Sequence, residues 1–279
     1  MKKMKRFALA AFAAALAVSA VLVAGCAGNG GETKEAEGAA EKTEIVVGLR
    51  ADGVDMFNAI KPKLEEAGYT VTTQVFDDSI QPNVALGEGA VDINWFQHVP
   101  YLNQYNESNG TDFVMVEPYT HYPLFAMYST KIDKLDDLQD GAKIGLCNDD
   151  SNRARGLRLL EENGLIKIKE GVETPTVFDI EENPKNLEFI EAEMSVLPQS
   201  IDDVDAVILA AQHMFNAGKD ATDFVVESSD GKDFPLGFVV RAEDADAQWA
   251  KDFATLAQCD ELADCFATTY GGCLVPMWK

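Results

Sequence analysis

The chain has 279 residues, 47% hydrophobic and 25% charged, with 47 acidic against 23 basic side chains and a formal net charge of −24. So acidic a surface excludes a nucleic-acid binder, which needs Lys and Arg to neutralise phosphates, and a basic patch that docks on anionic lipid. The length is comfortable for two domains.

The first element is a leader. Lys2, Lys3, Lys5 and Arg6 precede an apolar run from Phe7 to about Val23, and Ala24-Gly25-Cys26 closes it. Basic residues, a short apolar run and small residues before a cleavage point form a secretory signal peptide. A cysteine directly after Ala-Gly marks the lipobox of a bacterial lipoprotein, cleaved before Cys26 and diacylated on its thiol. The competing reading is an uncleaved membrane helix, but the apolar run is near the short limit of ~20 residues. Residues 1–25 are therefore expected to be the signal, and the mature protein a lipid-anchored one on the outer face of the cell membrane. Cleavage removes four cations and no acids, so the mature chain is still more acidic. Residues 26–43 are rich in Gly, Ala, Glu and Lys without apolar periodicity, which predicts a flexible tether.

The body then alternates strands and helices. Ile45 to Leu49 reads as a buried strand. Asp55 to Ala67 reads as a helix, with Met56, Ile60 and Leu64 at helical spacing and Gly68 as its stop. A strand over Tyr69 to Phe76, a helix over Gln81 to Leu86 and a strand over Ala90 to Trp95 complete a β-α-β-α-β rhythm. That rhythm predicts a mainly parallel sheet with helices on both faces. It restarts with a strand over Lys143 to Cys147. A cap-rich turn follows over Asn148, Asp149, Asp150, Ser151 and Asn152, then a helix over Arg153 to Asn163 ended by Gly164. Leu187 to Ala192 and Ala206 to Leu209 are further strands. Two α/β lobes are expected, with ligand contacts at strand C-terminal ends and helix N-termini.

No nucleophile elbow, phosphate loop or HExxH motif is present, so the common hydrolase, kinase and metalloprotease signatures are missing. Cysteines beyond the lipobox are Cys147, Cys259, Cys265 and Cys273. One disulfide among the last three is expected in an extracytoplasmic setting, and Cys147 is expected to be a buried strand residue.

Several collinear stretches carry a family resemblance. They are Ile80-Gln81-Pro82-Asn83-Val84-Ala85-Leu86, Asp92 with Phe96-Gln97-His98-Val99-Pro100-Tyr101-Leu102, and Lys134-Leu135-Asp136-Asp137-Leu138. Asn148-Asp149, Gly164-Leu165-Ile166-Lys167, Glu182-Asn183-Pro184-Lys185-Asn186-Leu187 and Asp202-Asp203-Val204-Asp205-Ala206 follow. The chain resembles the substrate-binding lipoproteins of methionine-type ABC importers, the NlpA-like lipoproteins. The resemblance implies an α/β, two-lobed periplasmic-binding-protein fold of type II, with two crossover strands and a ligand cleft between lobes. It also implies an amino acid-like ligand, with a membrane permease and an ATPase as partners; no cofactor and no catalysis are expected. A monomer is expected. The expected lobes are 44–127 with 238–279, and 128–237, hinged near Phe125 to Tyr128 and near Gly237 to Val240.

Candidate ligand contacts follow. Arg155 could grip a carboxylate with its planar fork, helped by the helix N-terminus that Asn148, Ser151 and Asn152 surround. The resemblance puts a carboxylate-binding arginine at the same place; the alternative is a surface helix arginine. Phe96, His98 and Tyr101 follow a strand and could wall an apolar, polarizable side chain, or else pack in the core. His121 lies near the first crossover. Four positions depart from what the resemblance implies: Ser79 stands for a tyrosine, Gln199 for an arginine, Ala210 for an asparagine, and the stretch Phe234 to Gly237 lacks another asparagine. Gln212 and His213 could compensate. Three further readings remain: another small polar or anionic metabolite, zinc capture through His98, His121 and His213, and an enzyme. The enzyme reading lacks any nucleophile–base or acid–base constellation.

Overall fold

The computed structural model describes residues 42–279. The expected signal peptide, the lipidated Cys26 and the tether lie outside the described residues, apart from Lys42 and Thr43. The first strand, β1 (Glu44–Arg50), leads through a short 3₁₀ turn into α1 (Val54–Glu66). Met56, Phe57, Ile60 and Leu64 form the buried stripe of α1. The chain leaves the helix at Gly68, whose φ of +98° a residue with a Cβ rarely adopts. Next come β2 (Thr70–Phe76), α2 (Gln81–Gly87), β3 (Ile93–Trp95), α3 (Val99–Asn109) and β4 (Val114–Pro123).

The chain then changes sheets. β5 (Phe125–Tyr128), β6 (Lys143–Cys147), α4 (Asp150–Glu162), β7 (Lys167–Ile168), β8 (Ile180–Glu182), β9 (Glu188–Ala192) and β10 (Ala206–Ala210) follow in order. After α5 (Ala211–Asn216) and β11 (Val226–Glu227), β12 (Leu236–Val240) returns to the first sheet. The chain ends with α6 (Gln248–Leu256), α7 (Asp260–Thr268) and β13 (Leu274–Pro276).

Strand order is β13-β4-β12-β3-β1-β2 in one sheet and β11-β5-β10-β6-β9 in the other, with β7 and β8 as a separate ribbon. Both sheets belong to one compact unit that takes in all the described residues. Only part of each sheet is parallel: β2, β1 and β3 in the first, and β9, β6 and β10 in the second. The mainly parallel expectation therefore holds for the βαβ portions alone. β4, β12 and β13, and likewise β5 and β11, pair antiparallel because they are the segments that cross between sheets or close the chain. The crossings lie at Leu124 and between Glu227 and Leu236, a few residues before the positions read from the sequence.

In both sheets consecutive connections leave the central strand on opposite sides. β1 runs to β2 on one flank, and β3 then lies on the other; β6 runs to β9, and β10 lies on the other. A crevice opens at the carboxyl ends of strands where the order reverses in this way. Helix α4 sits close enough to β6 that a Cβ on Gly156 would come 2.9 Å from Leu146 Cδ2. The short glycine thus lets the helix seat its N-terminus beside the end of β6. Cys147, Cys259, Cys265 and Cys273 are all unpaired, so the expected disulfide is not formed. Cys147 is buried in β6, as its apolar surroundings suggested.

Candidate functional site

The two crevices face each other across a cavity of about 270 Å³. That is a little below the ~300–1,000 Å³ of sites for drug-sized molecules, and so suits a small metabolite. Arg50 follows from β1, Ser79 and Ile80 from the end of β2, and Phe96, Gln97 and His98 from the end of β3. From the other sheet, Asn148, Asp149 and Asn152 come after β6, Glu193 and Met194 after β9, and Ala210, Gln212 and His213 around the end of β10. Asp78, Tyr101, Pro123 and Leu236 complete the wall.

Seven expected contacts therefore line one cavity: Phe96, His98, Tyr101, Asn148, Asn152, Gln212 and His213. His98 is also the N-cap of α3, its Nδ1 accepting the Tyr101 amide at 3.0 Å. The ring proton thus resides on Nε2, which donates to Asn152 Oδ1 at 3.1 Å on α4 of the opposite lobe. Burial, then the nearby Arg155 guanidinium, pulls the His98 pKa down to about 4, so the imidazole is neutral. The Tyr101 hydroxyl donates to the Ser79 carbonyl at 2.8 Å, and the Tyr101 ring meets Phe96 edge-on at 6.1 Å between centroids. Gln212 Nε2 donates to the Asp52 carbonyl at 3.2 Å, a second tie between the lobes.

Arg155, Ser151 and His121 are placed otherwise. Arg155 is 2% exposed and does not line the cavity. Its Nε meets both Asp230 oxygens at 3.0 and 3.2 Å and its Nη2 meets Oδ1 at 2.6 Å. Its plane lies between Phe125 and Phe234, 4.3 and 3.9 Å from the ring centroids. Nη1 has no partner but is itself buried. Asp230, from the returning crossover, thus holds the Nε–Nη2 edge of the guanidinium that the sequence assigned to a ligand carboxylate and leaves Nη1 unengaged. The N-terminus of α4 is occupied in the same manner, because the Asp149 carboxylate accepts the Asn152 amide at 2.9 Å and also the Ser151 hydroxyl at 2.9 Å. Ser151 faces that cap and not the cavity.

His121 is fully buried in the first lobe, 4.8 Å from Phe266 and 5.9 Å from Trp95 by ring centroids. The Thr120 hydroxyl gives its proton to the Leu236 carbonyl and so receives the His121 Nδ1–H at 2.9 Å. Nε2 is left without a partner, and burial drives the His121 pKa down to about 3. The three imidazoles are therefore not brought together, and no cluster of three metal-ligating side chains occurs among the described residues. The zinc reading is set aside.

Sequence reasoning missed Arg50, Asp78, Asp149, Glu193 and Met194 as wall residues. Each sits at or just beyond the C-terminal end of a strand in a βαβ unit or at a helix cap, so the rule for crevice ligands already pointed to them. Arg50 Nη1 donates to Ser79 Oγ at 2.6 Å, and its Nε and Nη2 lie 3.3 and 3.4 Å from the Asp52 oxygens. Among the wall residues it is the single guanidinium or ammonium, and the carboxylates of Asp78, Asp149 and Glu193 line the same cavity.

Comparison with known proteins agrees with this architecture. The chain is 37% identical over 244 residues to the D-methionine-binding lipoprotein MetQ of Yersinia pestis, covering 85% of this chain and 88% of that protein. A nutrient-binding protein from Burkholderia cenocepacia, solved bound to methionine, superposes with a TM-score of 0.77 at 32% identity, over 84% of this chain and 99% of that one. An ABC transporter periplasmic substrate-binding protein from Coxiella burnetii gives 0.78 at 30% identity, over 83% and 99%. Residues 45–278 match the model of the NlpA lipoprotein family, and the chain belongs to that family.

Proposed function

We propose that the chain is an extracytoplasmic solute-binding lipoprotein of an ABC importer, capturing methionine or a related small amino acid derivative by closure of its two lobes. The observation that carries this reading is the small cavity at the facing strand ends, lined by both apolar and charged side chains. Phe96, Tyr101, Met194, Ile80 and Leu236 offer aromatic and polarizable surface to a thioether. Asp78, Asp149 and Glu193 offer carboxylates to an ammonium. Methionine binding by the Burkholderia relative, and the roles of the Yersinia and Coxiella proteins as a D-methionine-binding lipoprotein and an ABC transporter substrate-binding protein, support the same ligand class and transport role.

The role is capture and not catalysis. The lobes would hinge at Leu124 and in the segment between β11 and β12, the two places where the backbone passes from sheet to sheet. Ligand contacts from both lobes favour the closed form by their difference in affinity for the two states. The captured solute would pass to a membrane permease driven by an ATPase, with the protein acting as a monomer. Anchoring would be through the acylated Cys26; among the described residues no helix is long and apolar enough to cross a membrane.

A second reading keeps the fold and takes a different small polar or anionic metabolite. It is favoured by the ion pair of Arg155 with Asp230, which sets a carboxylate of the chain itself against the guanidinium expected to meet a ligand carboxylate. A thermal-unfolding panel of the mature protein, freed of ligand and mixed with the natural amino acids and small organic acids, separates the two. Methionine giving the largest rise in midpoint supports the first reading. A rise with another solute and none with methionine supports the second.

A further inference from the structure

Two loops of the first lobe reach the cavity wall. One follows β2 and brings Ser79 and Ile80; the other follows β3 and brings Phe96 and His98. Three side-chain amides join these loops, and the binding reading has not used them. Asn83 and Asn94 are 0% exposed and Gln97 is 3% exposed. Gln97 lines the cavity, whereas Asn83 and Asn94 do not.

We propose that Asn83, Asn94 and Gln97 are positioning residues for the solute, a preformed frame that fixes both loops in the arrangement binding needs. The inference rests on the reading above in taking this cavity as the solute's site. Asn94, in the middle of β3, pairs with Gly48 of β1 and Val239 of β12 and is the fixed point of the frame. Its Nδ2 donates to Asn83 Oδ1 at 2.9 Å and to the Pro82 carbonyl at 3.3 Å, both in the first turn of α2. Gln97 closes the ring. Its Nε2 donates to Asn83 Oδ1 at 2.7 Å and to Asn94 Oδ1 at 3.0 Å, and its Oε1 accepts Asn83 Nδ2 at 2.9 Å. Both lone pairs of Asn83 Oδ1 are thus engaged, and so are both N–H groups of Gln97. Gln97 therefore has no N–H left for a solute and acts through the backbone it holds, between Phe96 and His98. On the other loop the Ile80 carbonyl accepts the Asn83 amide at 3.1 Å, which carries the frame to the wall residue Ile80. The Tyr101 hydroxyl on the Ser79 carbonyl is a further tie between the same two stretches of chain. No polar side-chain atom of the three amides is left without a partner. A fully satisfied buried network is directional and favours one arrangement, where apolar contacts would tolerate several. Loops held in place beforehand need not be ordered by the solute, and that ordering weakens binding wherever it is required.

The deciding variant is Asn83→Leu with Asn94→Leu, which removes the frame and changes no wall residue. Isothermal titration with L-methionine should show a loss of at least about tenfold in affinity, in a protein that circular dichroism shows to be folded. A cluster that only stabilised the lobe would lower the thermal midpoint and leave the affinity of the folded variant unchanged, and that result overturns the inference. The second measurement uses wild-type protein freed of ligand by unfolding and refolding. Side-chain N–H exchange at Asn83, Asn94 and Gln97, read by NMR, should be as slow before methionine is added as after it. Fast exchange that slows only with methionine means that the solute builds the frame, and overturns the inference even where the paired variant does not fold. Folded wild type that binds no methionine overturns the amino acid reading instead, and exchange in the ligand-free protein then decides the frame by itself.

Discussion

Arg155 pairs with Asp230 in a setting where its side chain is 1% exposed and the carboxylate 24%. Removing one partner of such a pair leaves the other charge without compensation, which typically costs about 3–5 kcal/mol, whereas replacing both is close to neutral. Arg155→Met is therefore expected to lower the unfolding free energy by about 3 kcal/mol, and adding Asp230→Asn should restore much of it. Denaturant unfolding of both variants checks this; an Arg155→Met protein as stable as wild type would contradict the structural role. The residue type, its helix and even its turn were legible in the sequence. Its partner, 75 residues away on the crossover, was not, because local pattern carries no information about which distant carboxylate reaches a guanidinium. Arg50 was illegible for the opposite reason: an arginine ending an apolar run reads as a strand leaving the core.

At the scale of elements, the strand ends and the helix caps make the site. His98 begins α3 through its Nδ1 and ties that helix to α4 through its Nε2. His98→Ala should destabilise the protein by about 1–2 kcal/mol, the sum of a lost cap and a lost interlobe hydrogen bond. His98→Asn, able to accept the Tyr101 amide, should recover the cap portion; equal loss in both variants in thermal unfolding would contradict the capping role. The strands at 45–49 and 143–147 and the helix stopped by Gly68 were readable because apolar periodicity and stop residues are local. The antiparallel strands were not, since β12 joins the first sheet only after the chain has built the second. For the same reason the sequence placed both crossings a few residues late.

For the whole molecule, three histidines are held neutral by the fold. Burial is the first cause for each, and it lowers His98 and His213 to about 4 and His121 to about 3. The ordinary value in an unfolded chain is about 6.5, so on acidification the unfolded state takes up protons first. Their contribution is fully present above pH ~6.5 and is lost as pH falls through about 4 for His98 and His213 and about 3 for His121. Urea midpoints should therefore drop between pH 7 and pH 4.5, and His121→Leu, which removes the most strongly shifted group, should drop less over that interval. A steeper fall in His121→Leu than in wild type would contradict this.

Ligand capture is the property that joins these scales, because the cavity exists only where both lobes present their strand ends to each other. The direct measurement is isothermal titration of the mature protein, freed of ligand by unfolding and refolding, with L-methionine. The account predicts one site per chain with a dissociation constant in the micromolar range or tighter, equivalent to at least about 8 kcal/mol. A folded protein that releases no heat and gains no thermal stability with millimolar methionine would contradict it.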